Sequence, residues 1–352
     1  MKLKNFKIEI IVFAVIAVFV VAATFLIKVP QQQQVSASNL TDLGPAADFV
    51  GIKGWINSEP LTIASLKGKV VLVDFWTYSC INCIRTLPYL NSWYAKYADR
   101  GFVIVGIHSP EFEFEKNYDN VKAAVDKFGI KYPIALDSDH QTWDAYNNHY
   151  WPEDYIVDQN GEVRSVHFGE GDYNGTESII QGLLKDNNPN LSANMTNISS
   201  NVDFNQIGTP EIYLGYAFLR APLGNSVGLA PDEVRDYTVA PVTQNNIVYL
   251  SGQWLAKSDR LVSVNSSKIF LMYKAKNLNV VAGGGATVSI LLDGKNLNSS
   301  YAGNDVKVSN GIATATISKN QLYNLVAAPD YGTHLIEIDA SPGFEIYTFT
   351  FG

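Results

Sequence analysis

The sequence predicts an α/β unit followed by an all-β unit, behind one N-terminal membrane-spanning helix. Three observations carry that expectation. Residues 10–27 are apolar except for Thr24. From there to residue 187, apolar runs of strand length alternate with stretches of helical spacing. Beyond residue 205, short strand-like runs follow one another between turn signals with almost no helical periodicity. A chain of 352 residues also exceeds what one core of ordinary size needs, so at least two folded units are expected.

In chain order the membrane segment comes first. Lys2, Lys4 and Lys7 precede the apolar run, which at 1.5 Å per residue spans ~27 Å, one hydrocarbon thickness. With lysines in front and only Lys28 immediately behind, the N-terminus is expected in the cytoplasm and the rest outside, as a single-pass protein of the cell membrane. A cleaved signal peptide ending near residues 35–37 is the competing reading. The boundaries expected are a cytoplasmic tip and anchor over 1–29, a polar tether over 30–45, an α/β unit over 46–187, a linker over 188–204 and a β unit over 205–352. Glycosylation acceptor patterns at Asn39, Asn174, Asn190, Asn194, Asn197, Asn265 and Asn298 fit an exported glycoprotein. A hydrophobic share of 47% against 17% charged residues is a globular balance, and the net charge of -8 leaves no basic stripe for nucleic acid.

Within the α/β unit, KVVLVDFW (69–76) reads as a strand buried on both faces. Apolar residues at Ile84, Leu87, Leu90, Trp93 and Tyr94 read as a helix over 83–97. The chain's only two cysteines, Cys80 and Cys83, stand where that strand turns into that helix. At a helix N-terminus the unpaired amides and the positive end of the macrodipole favour a thiolate on Cys80. Cys83, one turn on, is better shielded, and a helical turn brings the two Cα atoms within the ~6 Å that a disulfide needs. The pair is therefore expected to cycle as a redox-active disulfide with no other cofactor and no metal. FVIVGIH (102–108) is a further buried strand, 117–128 a helix, YPIALD (132–137) a short strand and QTWDAYNN (141–148) a helix. A hairpin over 154–168 turns at Asn160-Gly161, and a last helix covers 176–185.

These residues resemble the thioredoxin superfamily. Asp74 stands six before Cys80, Pro88 eight after it, and Trp151-Pro152 precedes the strand-like DYIVD. The resemblance implies a buried acid at Asp74 serving proton transfer to Cys83, a kinking proline at Pro88, and a cis-proline at Pro152 facing the cysteines. Extra material around the core elements is similar to the TlpA and ResA branch, which implies an acid near the cysteines at Glu111. Glu111 has a plain alternative as a solvated loop residue beside Glu113 and Glu115, and His108, at the end of its strand, is a supporting partner behind the site or a structural histidine. Trp76 and Trp151 are candidate walls of the site that contact substrate, with core packing as the alternative. FWTYSCINC, GIHSPEFEFEK, YWPEDYIVD and HFGEGDY further resemble the soluble C-terminal half of DipZ-type proteins. In place of the CcdA-like multi-span domain of that group stands one anchor helix, which implies a separate CcdA-like electron donor in the membrane.

The β unit carries strand-like runs at 246–254, 268–276, 278–283, 286–294, 311–318, 333–340 and 344–352. They argue for an antiparallel β-sandwich, and the DipZ resemblance implies a jelly-roll similar to carbohydrate-binding modules. Tyr213, Tyr216, Trp254 and Tyr273 are candidates for a sugar-binding face, or else core aromatics.

The function expected is thiol-disulfide exchange on exported protein thiols and disulfides. A Cu(I) metallochaperone using the two thiolates and a histidine stands as an alternative. So do a thiol peroxidase, with Thr77 three before Cys80 but Val73 where the family proline is expected, and a glycan-binding surface protein with a static disulfide.

Overall fold

The computed structural model describes residues 40–199, 202–239 and 241–352. The expected anchor, the signal-cleavage alternative and most of the tether lie outside the described residues. Among those described, no helix is long and apolar enough to cross a membrane.

The α/β unit is built on six strands: β1 (Trp55–Ile56), β2 (Val70–Trp76), β3 (Phe102–His108), β4 (Ile134–Leu136), β5 (Glu153–Val157) and β6 (Val163–Phe168). Their order across the sheet is β1-β4-β3-β2-β5-β6. β2 runs parallel to β3 and antiparallel to β5, so the strand leading to the cysteines is central. All seven of its residues are buried, as an unbroken apolar run in a sheet covered on both faces requires. Val70, Leu72 and Trp76 join the core under α1 (Ile81–Tyr97), α2 (Tyr118–Lys127) and α4 (Tyr173–Asn187). Val71, Val73 and Phe75 point to the opposite core, against Trp143 of α3 (Gln141–Ala145) and Tyr146 just beyond it. Gly106 of β3 is glycine for a steric reason: a Cβ there would collide with Ile134, Trp76 and Tyr132.

α1 begins at Ile81 with Cys80 as its N-cap, two residues before the start read from apolar spacing. Ile81 and Asn82 are half-buried and add nothing to the core stripe, which is why periodicity missed that turn. Pro88 lies inside the helix on its exposed side.

The segment expected to be an exposed linker is tied down over most of its length. Leu191 is buried, Tyr89 Oη donates to the Ile198 carbonyl, and Glu177 accepts from Thr196 N at 2.6 Å while binding Lys96 at 2.7 Å. Its Asn and Ser content marks a lack of regular structure, not a lack of contacts.

The C-terminal strands are β7 (Ile212–Tyr213), β8 (Val234–Tyr237), β9 (Val248–Ala256), β10 (Leu261–Ser263), β11 (Ser267–Gly283), β12 (Ala286–Leu292), β13 (Lys295–Asn296), β14 (Val306–Ser309), β15 (Ile312–Ile317), β16 (Gln321–Ala340) and β17 (Glu345–Phe351). Every pairing between them is antiparallel, and they form one hydrogen-bonded network rather than two separate sheets. The continuity comes from β11, whose first half pairs with β9 and whose second half pairs with β17, while β16 follows it almost throughout. Of the four aromatic candidates Tyr213, Trp254 and Tyr273 are buried, Trp254 and Tyr273 within one large apolar core, and Tyr216 is half-buried against that core, which is the core-aromatic alternative.

Candidate redox site

The site is assembled where β2 ends. Cys80 is 8% exposed and Cys83 fully buried, both as free thiols. Cys80 Sγ lies 3.9 Å from the Trp151 carbonyl, and the Trp151-Pro152 bond is cis. The structure thus brings Cys80, Trp151 and Pro152 together from elements far apart in sequence. Trp151 is half-buried, donates its indole N–H to the Ser109 carbonyl at 3.0 Å and packs on Trp143. Trp76 is fully inaccessible, edge-on to His108 beneath the site, so it supports the site from the core.

Under Cys83 lies a buried acidic pocket. Asp74 is inaccessible and stands opposite Asp154 in the β2–β5 register. Neither Asp74 oxygen has a geometrically good hydrogen bond, and the Tyr132 hydroxyl nearby is likewise without one. Burial pushes the Asp74 carboxyl well above the usual range, and the Asp154 charge pushes it further. Asp154 is raised to about 7, chiefly by the same burial. Burial, the Cys80 thiol and the charge of Asp74 together drive the Cys83 thiol up. Two carboxyls and a thiol that all resist ionising side by side can pass one proton among themselves.

The loop 77–80 is held from the other side by β3 and the segment after it. Ser79 Oγ donates to Glu115 Oε1 at 2.6 Å, and Glu115 Oε2 accepts from the amides of Glu111 at 2.6 Å and Phe112 at 2.9 Å. Glu115 is fully buried, with burial raising its carboxyl against the pull of these donors. Tyr78 stacks on His108 with ring centres 5.7 Å apart, and Thr77 Oγ1 lies 3.4 Å from His108 Nε2. Burial lowers His108 to about 3, so the ring is neutral. Among the described residues no group of three or more His, Cys, Asp or Glu is arranged to hold a metal ion.

Glu111 makes no hydrogen bond to either cysteine, and its carboxylate accepts from the Tyr213 hydroxyl of the C-terminal unit. Tyr213 Oη also lies 3.1 Å from Glu211, and Arg220 sits over its ring at 4.9 Å. Burial and the charges of Glu211 and Glu115 push Glu111 well up. Tyr213 is raised by burial and by both glutamates, and it also feels the Cys80 charge. Sequence reasoning missed Asp154, Tyr132 and Glu115, and it gave Tyr213 to a sugar face or the core rather than to this site. Asp154 alone had a usable signal, since it lies on the strand that a cis-proline next to Cys80 must start.

Residues 45–166 match the family described as AhpC/TSA, and residues 209–352 match the thioredoxin like C-terminal domain. DipZ of Mycobacterium tuberculosis is 36% identical over 323 residues, which is 90% of this chain and 44% of that protein. The chain therefore spans less than half the length of that relative. Thiol-disulfide oxidoreductase YkuV of Bacillus subtilis is 33% identical over 140 residues, 40% of this chain and 94% of that protein. Thiol-disulfide oxidoreductase ResA of Bacillus thuringiensis is 28% identical over 130 residues, 37% of this chain and 70% of that protein.

Proposed function

The chain belongs to the thioredoxin-like thiol-disulfide oxidoreductases, and from that premise we propose that it is a membrane-anchored enzyme exchanging disulfides with exported proteins. The observation that carries the reading is the asymmetry of the pair. Cys80, the N-cap of α1, keeps a small opening beside the Trp151 carbonyl, while Cys83 lies sealed against Asp74.

In the reducing direction the Cys80 thiolate attacks one sulfur of a substrate disulfide. A Cys80–substrate disulfide forms, and the other substrate sulfur leaves as a thiolate that takes up a proton. Asp74 then accepts the Cys83 proton, and the Cys83 thiolate attacks Cys80 Sγ. The second substrate thiol is released, the Cys80–Cys83 disulfide remains, and two electrons have passed to substrate. Trp151 presents backbone at the open side of Cys80, where an extended substrate strand pairs. Resetting the pair takes two electrons, and the reading assigns that supply to a separate CcdA-like membrane protein. The run of residues 10–27 behind Lys2, Lys4 and Lys7 supports a single anchor with both folded units outside the cell.

Trapping tests the chemistry. With an exported protein disulfide as probe, the Cys83→Ser chain is expected to accumulate a mixed disulfide visible by mass, and the Cys80→Ser chain none. Accumulation on Cys83 instead would reverse the assigned roles, and none on either would remove the exchange reading. Labelling of Cys80 by a membrane-impermeant maleimide in intact cells tests the location. The AhpC/TSA match favours peroxide reduction as a second reading, and turnover of hydrogen peroxide faster than disulfide exchange would put it first.

A further inference from the structure

Between the first turn of α1 and the C-terminal sheet lies a cleft of about 1400 Å³. That exceeds the ~300–1,000 Å³ of a small-molecule pocket, so its size suits a segment of polymer. One wall carries Tyr78, Ile81 and Ile84 around Cys80. The other carries Asp305, Lys319 and carboxamides on β11, on β16 and in the loop before β14: Asn277, Asn279, Asn304, Gln321 and Asn324, beside Asn320, whose Nδ2 donates to Tyr347 Oη at 3.1 Å.

The carboxamides divide into two sets. Asn324 Nδ2 donates to Asn279 Oδ1 at 2.8 Å, and Asn324 Oδ1 accepts from Asn304 N at 2.9 Å, so these two side chains brace the wall. The side chains of Asn277, Asn304 and Gln321 make no hydrogen bond among the described residues. Each offers a carbonyl acceptor and an amide donor in one plane, the same pair of groups that a peptide unit presents. An extended main chain has such groups along both edges, and a row of unpaired carboxamides satisfies them whatever the side chains. Trp151 and Pro152 do not line the cleft, so it is a surface apart from the cis-proline face. Tyr78 and Ile81 on this wall flank Cys80 in the chain, so the edge of the cleft adjoins the turn that carries the attacking sulfur.

Resting on the disulfide-exchange reading, we propose that this cleft binds an extended polar segment of the substrate polypeptide next to its disulfide. Asn277, Asn304 and Gln321 hydrogen-bond that segment's main chain. The C-terminal unit is thereby the part that recognises the substrate as a polypeptide, and the α/β unit performs the exchange. A glycan is the other polymer with enough hydroxyls for such a wall. The rings of the cleft, Tyr78, Phe114 and Phe128, stand on the α/β wall, and the carboxamide wall itself carries none for a sugar face to stack on, which favours the polypeptide.

The test uses the full chain and two probes. One is a linear Ser-, Gly- and Ala-rich peptide whose single internal cysteine is in mixed disulfide with glutathione; the other is glutathione disulfide. Replacing Asn277, Asn304 and Gln321 together by Ala is expected to raise KM for the peptide, relative to that for glutathione disulfide, by about ten- to a hundredfold. An unchanged ratio, with both probes still reduced, overturns the cleft assignment and leaves the exchange reading standing. A parent chain that reduces neither probe overturns both. Should the triple variant lose its cooperative melt, Asn304→Trp decides alone, because an indole at that exposed position fills the cleft; an unchanged ratio there also overturns the proposal. Competition by a soluble oligosaccharide against the peptide probe assigns the cleft to glycans and overturns it as well.

Discussion

At the scale of single residues, the pair Asp74 and Asp154 controls when Cys83 can act. Asp74→Asn removes the proton acceptor beside a thiol that burial already discourages from ionising. Resolution of the Cys80 mixed disulfide is expected to slow by about 10²-fold and to lose its pH dependence below neutrality, as stopped-flow mixing with a preformed mixed disulfide checks. An unchanged rate would strip Asp74 of that role. The same pair has a stability consequence. Because the folded state holds Asp154 at about 7 against an ordinary 3.8, it binds more protons than the unfolded chain between those values. Its contribution is therefore fully present at acid pH and is lost as pH rises through about 7. Asp154→Asn is expected to flatten the fall of the urea midpoint over that window. The sequence made Asp74 legible, through its spacing from Cys80, but not its partner. Asp154 becomes the partner only through the β2–β5 register, a pairing between strands far apart in the chain. Likewise Glu111, Glu113 and Glu115 are indistinguishable as sequence; only packing buries Glu115 against Ser79 and leaves Glu113 in solvent.

At the scale of elements, Glu115 ties the segment after β3 to the loop that ends β2. One carboxylate accepts from Ser79 Oγ and from two backbone amides, all shielded from water. Hydrogen bonds to a charged group contribute ~1.5–3 kcal/mol each, and leaving buried donors unpaired adds a penalty. Glu115→Ala is accordingly expected to cost about 5 kcal/mol in urea unfolding, and Ser79→Ala, which breaks one bond, about 2 kcal/mol. Equal costs would mean that the amides find other partners. Elements of this kind explain what could be read from the chain. Strands β2 and β3 were legible because burial on both faces demands unbroken apolar runs. The long strands were not. Residues 268–276 and 278–283 read as two strands, yet they are one, β11, with register shifts on either side of Asn277 and Leu278; the Asn277 backbone also pairs with Gly352. The first half of β16 escaped notice because Pro329 and Asp330 read as breakers. Both lie in the stretch that bulges away between Ala327 and Gly332, where a proline forfeits no ladder bond.

At the scale of the whole molecule, the two units are joined beside the attacking cysteine. Phe112 and Phe114 of the α/β unit pack on Tyr347 with ring centres 5.0 and 4.9 Å apart, and Arg85, paired with Glu170 at 2.7 Å, reaches the Phe351 carbonyl. At the centre of this contact Glu111 and Glu211 share the Tyr213 hydroxyl, with Arg220 over the ring. No sequence pattern connects these residues, because the contact exists only once both units are folded. Burial raises both carboxyls, the Glu211 charge raises Glu111 further, and Arg220 pulls both down. The junction is therefore comfortable with one proton between the two glutamates and strained with none. Since both groups are raised in the joined state, its stability is fully present at and below the ordinary carboxylate range and declines as pH rises through the raised values. The radius of gyration from X-ray scattering is expected to grow as the full chain is taken from mildly acidic to alkaline pH, as the units part. Glu211→Gln leaves a single carboxylate opposite Arg220 and is expected to hold the radius constant over the same range. A parent whose radius does not change, or a variant that expands as the parent does, would show that the shared proton does not hold the two units together. In that case the contact would rest on the aromatic packing of Phe112, Phe114 and Tyr347, and Tyr347→Ala would open it at every pH.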